Sequence, residues 1–246
     1  MSTIMRQECT CAICGATHVY NYVGSSNTFG GEPDLDSRPP EMLRSTMGLW
    51  VHGCDCGYIS REVSDKSNVS REWLQSENYL MSEGLHFKSI IADSFYKSYL
   101  IKTYDNDIED AFYMMLYAAW ACDDINDVEN AIICRKKAVG ISSELLQSRY
   151  ENCEELLLMR ADLMRRSKMF EDLIKEYASV KVMQPLHKQI LKFEIKKAKE
   201  HDASRYTVGS LNSPKDRERR QSNSELEEIM LDDEWLELLK KHENQI

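Results

Sequence analysis

Apolar positions along the chain fall into three regimes. Between residue 71 and about residue 205 they recur at helical spacing, with glycine sparse and Pro185 the sole proline. Ser70 before Arg71-Glu72-Trp73 reads as an N-cap, and Leu80, Ile90, Ile91, Phe95 and Leu100 carry the first helical stretch. After Tyr104–Asp107 a long helix presents Phe112, Met115, Leu116, Ala119 and Cys122. Asp123–Asp127 is a turn, and a partner helix presents Ala131, Ile132, Cys134 and Ala138. A second pair follows, with one helix over Leu156–Met164 and a turn at Arg165–Lys168. Phe170, Leu173, Ile174 and Tyr177 then face inward. Pro185 opens a closing helix, Leu186 to Glu200, with Ile190, Leu191, Phe193 and Ile195 near its apolar side.

Residues 1–70 lack this period. Thr17–Val23 alternates as a strand does, and Leu49–His52 leads as a strand into a cysteine pair. Between them, Gly24–Glu41 is rich in glycine, serine and proline, and Pro39-Pro40 forces an extended path. Residues 208–246 begin with a polar, linker-like run. Leu231, Trp235, Leu238 and Leu239 then recur at helical spacing on an acidic background, as in an amphipathic helix that docks in a groove of this chain or of a partner. The expected organisation is a module over 1–70, a helical domain over 71–207, and a linker with a terminal helix over 208–246. The fold class is mainly α: a small zinc-ribbon-like β module followed by a bundle of α-α hairpins. Ala119 and Ala161 stand at matching distances before Ala131 and Leu173, where a tetratricopeptide motif packs its two helices closely. The two copies lie further apart than the roughly 34 residues of that repeat.

The sequence has 246 residues, with 42% hydrophobic and 29% charged residues, which suits a globular chain. The formal charge of −10 argues against nucleic-acid backbone and anionic membrane as partners. Ala111–Cys122 is the longest apolar run, too short to span a bilayer. Met1–Thr10 has no apolar core behind a basic start, so no secretory signal is read and cytoplasm is expected. In that compartment the eight cysteines are thiols or metal ligands rather than disulfides.

Cysteine spacing supplies the clearest chemistry. Cys11-x2-Cys14-Gly15 has the form of a zinc knuckle, and Cys54-x-Cys56-Gly57 is a shorter counterpart. Tetrahedral ligation by Cys11, Cys14, Cys54 and Cys56 is the leading assignment. Cys9 and His52 are further candidates, and His52, four residues before Cys56, could take the place of Cys54. Four protein ligands leave no open position for water, so the zinc would be structural. In the intervening loop, Asp34, Asp36, Arg38, Glu41 and Arg44 group their charges. They are read either as a docking or ligand-binding site, or as turn caps and ion pairs. Cys122, Cys134 and Cys153 are expected to be buried small residues, and His86, His187 and His201 scattered surface or core residues rather than ligands. Arg160, Arg165, Arg166 and Lys168 are expected at a solvated helix end.

The run Phe29-Gly-Gly-Glu-Pro-Asp-Leu-Asp-Ser-Arg-Pro-Pro-Glu-Met-Leu-Arg-Ser-Thr-Met-Gly-Leu-Trp-Val51, followed by Cys56-Gly57-Tyr58 and later by Arg205-Tyr206-Thr207, resembles a family of uncharacterised bacterial proteins. The resemblance covers roughly residues 9 to 210. It implies a cysteine-rich N-terminus joined to a tetratricopeptide-like helical part, and it brings no activity. The family pattern would place a ligand where Gly53 stands, so Cys54 is displaced by one position.

Two functions remain open on the sequence. One is a zinc-stabilised adaptor that binds a protein or peptide through its helices. The other is an enzyme or small-ligand binder with a site where the Asp34–Glu41 loop meets them. No glycine-rich phosphate loop, His-Glu-x-x-His helix or nucleophile motif supports the second. A zinc-ribbon nucleic-acid binder is weakened by the negative charge.

Overall fold

The computed structural model describes residues 2–211. At its N-terminus β1 (Thr3–Thr10) and β2 (Thr17–Ser25) form an antiparallel ribbon, closed at Cys9↔His18 and Thr10↔Thr17. Along β2 the even positions His18, Tyr20 and Tyr22 are half-buried, whereas Thr17, Val19 and Asn21 are exposed, the alternation of a strand with one covered face. The β1 strand has no such pattern: every residue from Thr3 to Glu8 is exposed, so neither burial nor alternation marks it in the sequence. The strand expected over Leu49–His52 is shorter than its residues suggest. Met47–Leu49 makes a single 3-10 turn, and only β3 (His52–Gly53) pairs, with β4 (Ile59–Ser60).

Helices account for most of the rest. Three short ones, α1 (Glu41–Arg44), α2 (Arg71–Leu74) and α3 (Glu77–Leu80), precede α4 (Ile90–Tyr104), α5 (Ile108–Asp124), α6 (Val128–Ser148), α7 (Glu154–Arg166), α8 (Phe170–Tyr177) and α9 (Pro185–Lys199). Ser70 caps α2 as expected, its hydroxyl accepting from the Trp73 amide at 3.1 Å. Ile90 departs from the periodic reading: it is the first residue of α4, on the outer side, and 86% exposed. Ser89 provides the cap, accepting from the Ala92 amide at 3.3 Å.

Antiparallel packing runs from α4 to α5, α5 to α6 and α6 to α7, while α8 and α9 pack on α7 and on each other. The reversals after α4, α5 and α7 share one device. Asn106, Asn126 and Lys168 adopt left-handed backbone conformations with φ of 58°, 56° and 63°. The next amide returns to a carbonyl in the preceding turn: Asp107 to Lys102, Asp127 to Cys122 and Met169 to Met164, each at 2.9 Å. This closes the helix end and turns the chain at once. Between the helices Phe112, Met115, Leu116, Ala119 and Cys122 meet Ala131, Cys134 and Ala138, with Ala161, Leu163, Leu173 and Tyr177 continuing the core. Ile132, Phe170 and Ile174 are only half-buried, and so is Cys153, which precedes α7 rather than lying inside it.

The arginines near the end of α7 are not a solvated helix end. Helix α7 runs through Arg166, and Arg160, Arg165 and Arg166 are all buried, leaving only Lys168 exposed. Successive helical residues point about 100° apart, so the two neighbours serve different partners. Arg165 donates to Glu194 on α9 at 2.6 Å, to Asp162 at 2.5 Å and to the carbonyls of Asp202 and Ser204. Arg166 turns toward the N-terminal loop, donating to Asp36 at 3.0 Å and to Asp123 at 2.6 Å. Arg160 pairs with Glu176. His187 is also buried, against Glu154 at 2.6 Å.

The described residues up to Val208 form one compact unit. The segment bearing Leu231, Trp235, Leu238 and Leu239 lies outside the described residues.

Candidate metal centre

Two cysteine-bearing turns close the two hairpins. In the first, the Cys11 amide donates to the Ala16 carbonyl at 2.8 Å and the Gly15 amide to the Cys11 carbonyl at 2.9 Å. The second repeats the scheme with one residue fewer: the Cys54 amide donates to Tyr58 and the Gly57 amide back to Cys54, both at 2.8 Å. Gly15 (φ 77°) and Gly57 (φ 91°) take the positive φ that each turn needs and that side-chain-bearing residues resist. The missing residue of the Cys-x-Cys pair is thus absorbed by a tighter turn, and Cys54 still points inward.

The turns bring Cys11, Cys14, Cys54 and Cys56 together, all four sulfurs within 4.8 Å of one another. Cys14 Sγ stands 3.5 Å from Cys54 Sγ, and Cys11 Sγ stands 3.8 Å from Cys56 Sγ. A tetrahedron with zinc–sulfur bonds of about 2.3 Å has sulfur–sulfur edges of about 3.8 Å, whereas a disulfide would need about 2.05 Å. The spacing therefore fits four thiolates around one central ion, and the set can hold a metal such as zinc. Each close pair takes one sulfur from each turn, so an ion there would cross-link the hairpins.

Electrostatics at the cluster are uneven. The Ala16 amide, 3.4 Å from Cys14 Sγ, draws that thiol down to about 7. Burial pushes the Cys54 thiol up to about 12 and raises Cys56 as well. Packed thiols of this kind ionise together only when a cation neutralises them, which is the service a bound metal performs.

The helical body grips both turns. Cys11, Cys54 and Tyr58 pack with Val69, Leu74, Tyr79 and Ile101 in one buried cluster. Arg71 on α2 donates to the Cys14 carbonyl at 2.9 Å, Gln75 reaches the Cys56 carbonyl at 3.4 Å, and the Tyr79 hydroxyl donates to the Gly57 carbonyl. None of these three residues stands out in the sequence, because their role is toward carbonyls brought close only by folding.

The two further candidates lie outside the cluster. Cys9 Sγ is 3.4 Å from the Tyr22 hydroxyl. His52 has both ring nitrogens on carbonyls, Nδ1 at 2.7 Å from Arg61 and Nε2 at 2.9 Å from Asn21. It stacks on Tyr22 and Tyr20 and props the ribbon instead.

The charged loop is drawn into the helices. Asp36 is fully buried, accepting from Trp120 Nε1 at 2.8 Å and from Arg166. Arg38, 1% exposed, pairs with Asp124 and lies 3.9 Å from Asp123, which also binds Arg135 at 2.5 Å. Asp34 bridges to Thr207 and lies 3.6 Å from Arg205; burial, opposed by the nearby arginines, moves its carboxyl up to about 6. Glu41 and Arg44 sit apart on α1, exposed and half-exposed.

Compared with protein-family models, with curated proteins and with solved structures, the chain matches none of them. What stands is a four-cysteine cluster at two N-terminal hairpins, set on a helical body. Among the described residues no helix is long and apolar enough to cross a membrane.

Proposed function

We propose that Cys11, Cys14, Cys54 and Cys56 hold one structural zinc ion, and that the chain is a cytoplasmic adaptor whose helical body binds a protein or peptide. The observation that carries the first half is the near-tetrahedral spacing of the four sulfurs inside a packed cluster. With all four positions taken by protein, the ion has no site for substrate or water, and its contribution is to folding, on the order of 10 kcal/mol. It would lock the hairpins to α2 and α3 through Arg71, Gln75 and Tyr79.

The adaptor reading draws support from the loop. Asp36 and Arg38 hold internal ion pairs and Asp34 lies 3.6 Å from Arg205, which supports an architectural role for the group over an enzyme or small-ligand site. Stacked helices offer broad outer faces suited to peptides and helices. One such face is α9, where Lys188, Lys192, Lys196 and Lys199 are exposed.

Cobalt substitution tests the metal half. An absorption spectrum of tetrahedral cobalt with four thiolates, lost in Cys54→Ser, is expected; an octahedral spectrum would overturn it. For the adaptor half, proximity labelling in cells should recover a protein whose labelling falls several-fold when Lys188, Lys192 and Lys196 are changed to Glu. Recovery unaffected by those changes and by changes on the other exposed helix faces would count against an adaptor.

A further inference from the structure

Among the described residues the β1–β2 ribbon has an open edge. The β2 side faces the second hairpin: His52 Nε2 lies 2.9 Å from the Asn21 carbonyl, and its ring packs against those of Tyr20 and Tyr22. The β1 strand pairs with β2 alone, so among the described residues its other edge has no strand beside it. Thr3 to Glu8 are exposed, and Ile4 (60%), Met5 (57%) and Val19 (63%) place apolar surface on the ribbon. Proteins usually blunt such edges with proline, bulges or charged side chains, lysine above all, and here the charges are one of each sign, Arg6 and Glu8. The segment Thr3–Thr10 contains neither proline nor lysine, and its one irregularity is confined to Thr3/Ile4 at the far end. A two-stranded ribbon exposed in this way is marginal until another strand extends it.

The charges on β1 say which strand fits. Arg6 and Glu8 share the outer face, opposite Asn21 and Val19 of β2, and neither forms an ion pair among the described residues. Set antiparallel to itself and centred on Gln7, β1 places Arg6 of each copy opposite Glu8 of the other, and Ile4 opposite Thr10. The neighbouring same-face registers, centred on Arg6 or on Glu8, would stack like charges. A two-fold axis requires this kind of self-complementary patch. We infer that β1 is a homodimerisation edge, pairing antiparallel with β1 of a second copy about Gln7 to make a four-stranded sheet with two Arg6–Glu8 pairs.

Sedimentation of the full chain over a range of concentrations tests this, using wild type, Arg6→Glu and Glu8→Lys. Wild type should dimerise reversibly. Each single variant places like charges across both pairs and should weaken self-association at least tenfold. An equimolar mixture of the two variants restores opposite charges at both pairs and should form mixed dimers. Among the described residues both side chains are exposed and without an ion pair, so at a dilution where wild type is monomeric the variants keep its melting temperature, which is measured alongside. A wild type that stays monomeric throughout overturns the inference. So does a dimer indifferent to the single reversals, or two variants that fail to associate when mixed.

Discussion

Arg166 on α7 donates to Asp36 in the N-terminal loop at 3.0 Å, joining residues 130 positions apart in the chain. Asp36 also accepts from Trp120 on α5, and Arg166 also reaches Asp123, so one buried knot holds the loop, α5 and α7 together. Desolvating these charges is costly, and removing one partner is costlier still, because the other stays buried and unpaired. Asp36→Ala is therefore expected to destabilise the fold by about 3–5 kcal/mol, read from urea unfolding. A loss below about 1 kcal/mol would mean the knot is not closed in solution.

A second ionic cluster makes stability depend on pH. Asp162 and Glu194 flank Arg165, and Asp162 Oδ2 and Glu194 Oε1 have no hydrogen-bond partner among the described residues. Burial first, then the neighbouring Asp162 charge, raises Glu194 to about 8, with Arg165 opposing the shift. The folded state thus holds a proton that the unfolded state releases from the usual carboxylate range upward. The resulting stabilisation is complete below that range and is lost as pH rises toward 8. Glu194→Gln mimics the protonated form, and denaturation midpoints from pH 5 to pH 8.5 should fall with pH in wild type but much less in the variant. Parallel profiles would refute the assignment.

The second cysteine turn depends on a positive φ. Gly57 has φ 91°, and an alanine there adopts that backbone at a cost of about 1–2 kcal/mol. A comparable loss is expected in Gly57→Ala, with metal binding weakened because the turn aims Cys54 and Cys56. Gly53→Ala serves as the control, since its φ is not positive and the nearest atom to an added Cβ is 3.6 Å away.

The five N-terminal cysteines should separate cleanly. Cys9→Ser leaves metal stoichiometry unchanged, since Cys9 meets Tyr22 and not the other sulfurs. Serine at Cys11, Cys14, Cys54 or Cys56 removes a thiolate ligand and should lower metal affinity at least tenfold, checked by competition with a chelator. If Cys9→Ser lost metal as Cys54→Ser does, the four-sulfur set would be wrong.

Local signals were legible and long-range ones were not. Helix spacing at Phe112, Met115, Leu116 and Ala119 located α5, and Ser70 located a cap, because those rules act within a turn or two. The short spacing at Cys54 and Cys56 left the fourth ligand open, and it took the paired turns to show how a tighter reversal keeps Cys54 in the cluster. Arg165 and Arg166 read as solvated because nothing nearby in sequence hints at Asp36 or Glu194. The exposed β1 escaped notice for the same reason in reverse: its existence depends on pairing with β2, not on burying a face. The charges at Asp36 and Arg38 were visible as a group, but their partners Trp120, Asp124 and Arg166 come from α5 and α7, far away in sequence.

Metal content of protein purified without added zinc, measured with a count of reactive thiols before and after chelation, tests the central claim most directly. The account predicts one zinc per chain and four thiols that become reactive on chelation as the N-terminal hairpins loosen. Protein without metal, or Cys11, Cys14, Cys54 and Cys56 already reactive before chelation, would contradict it.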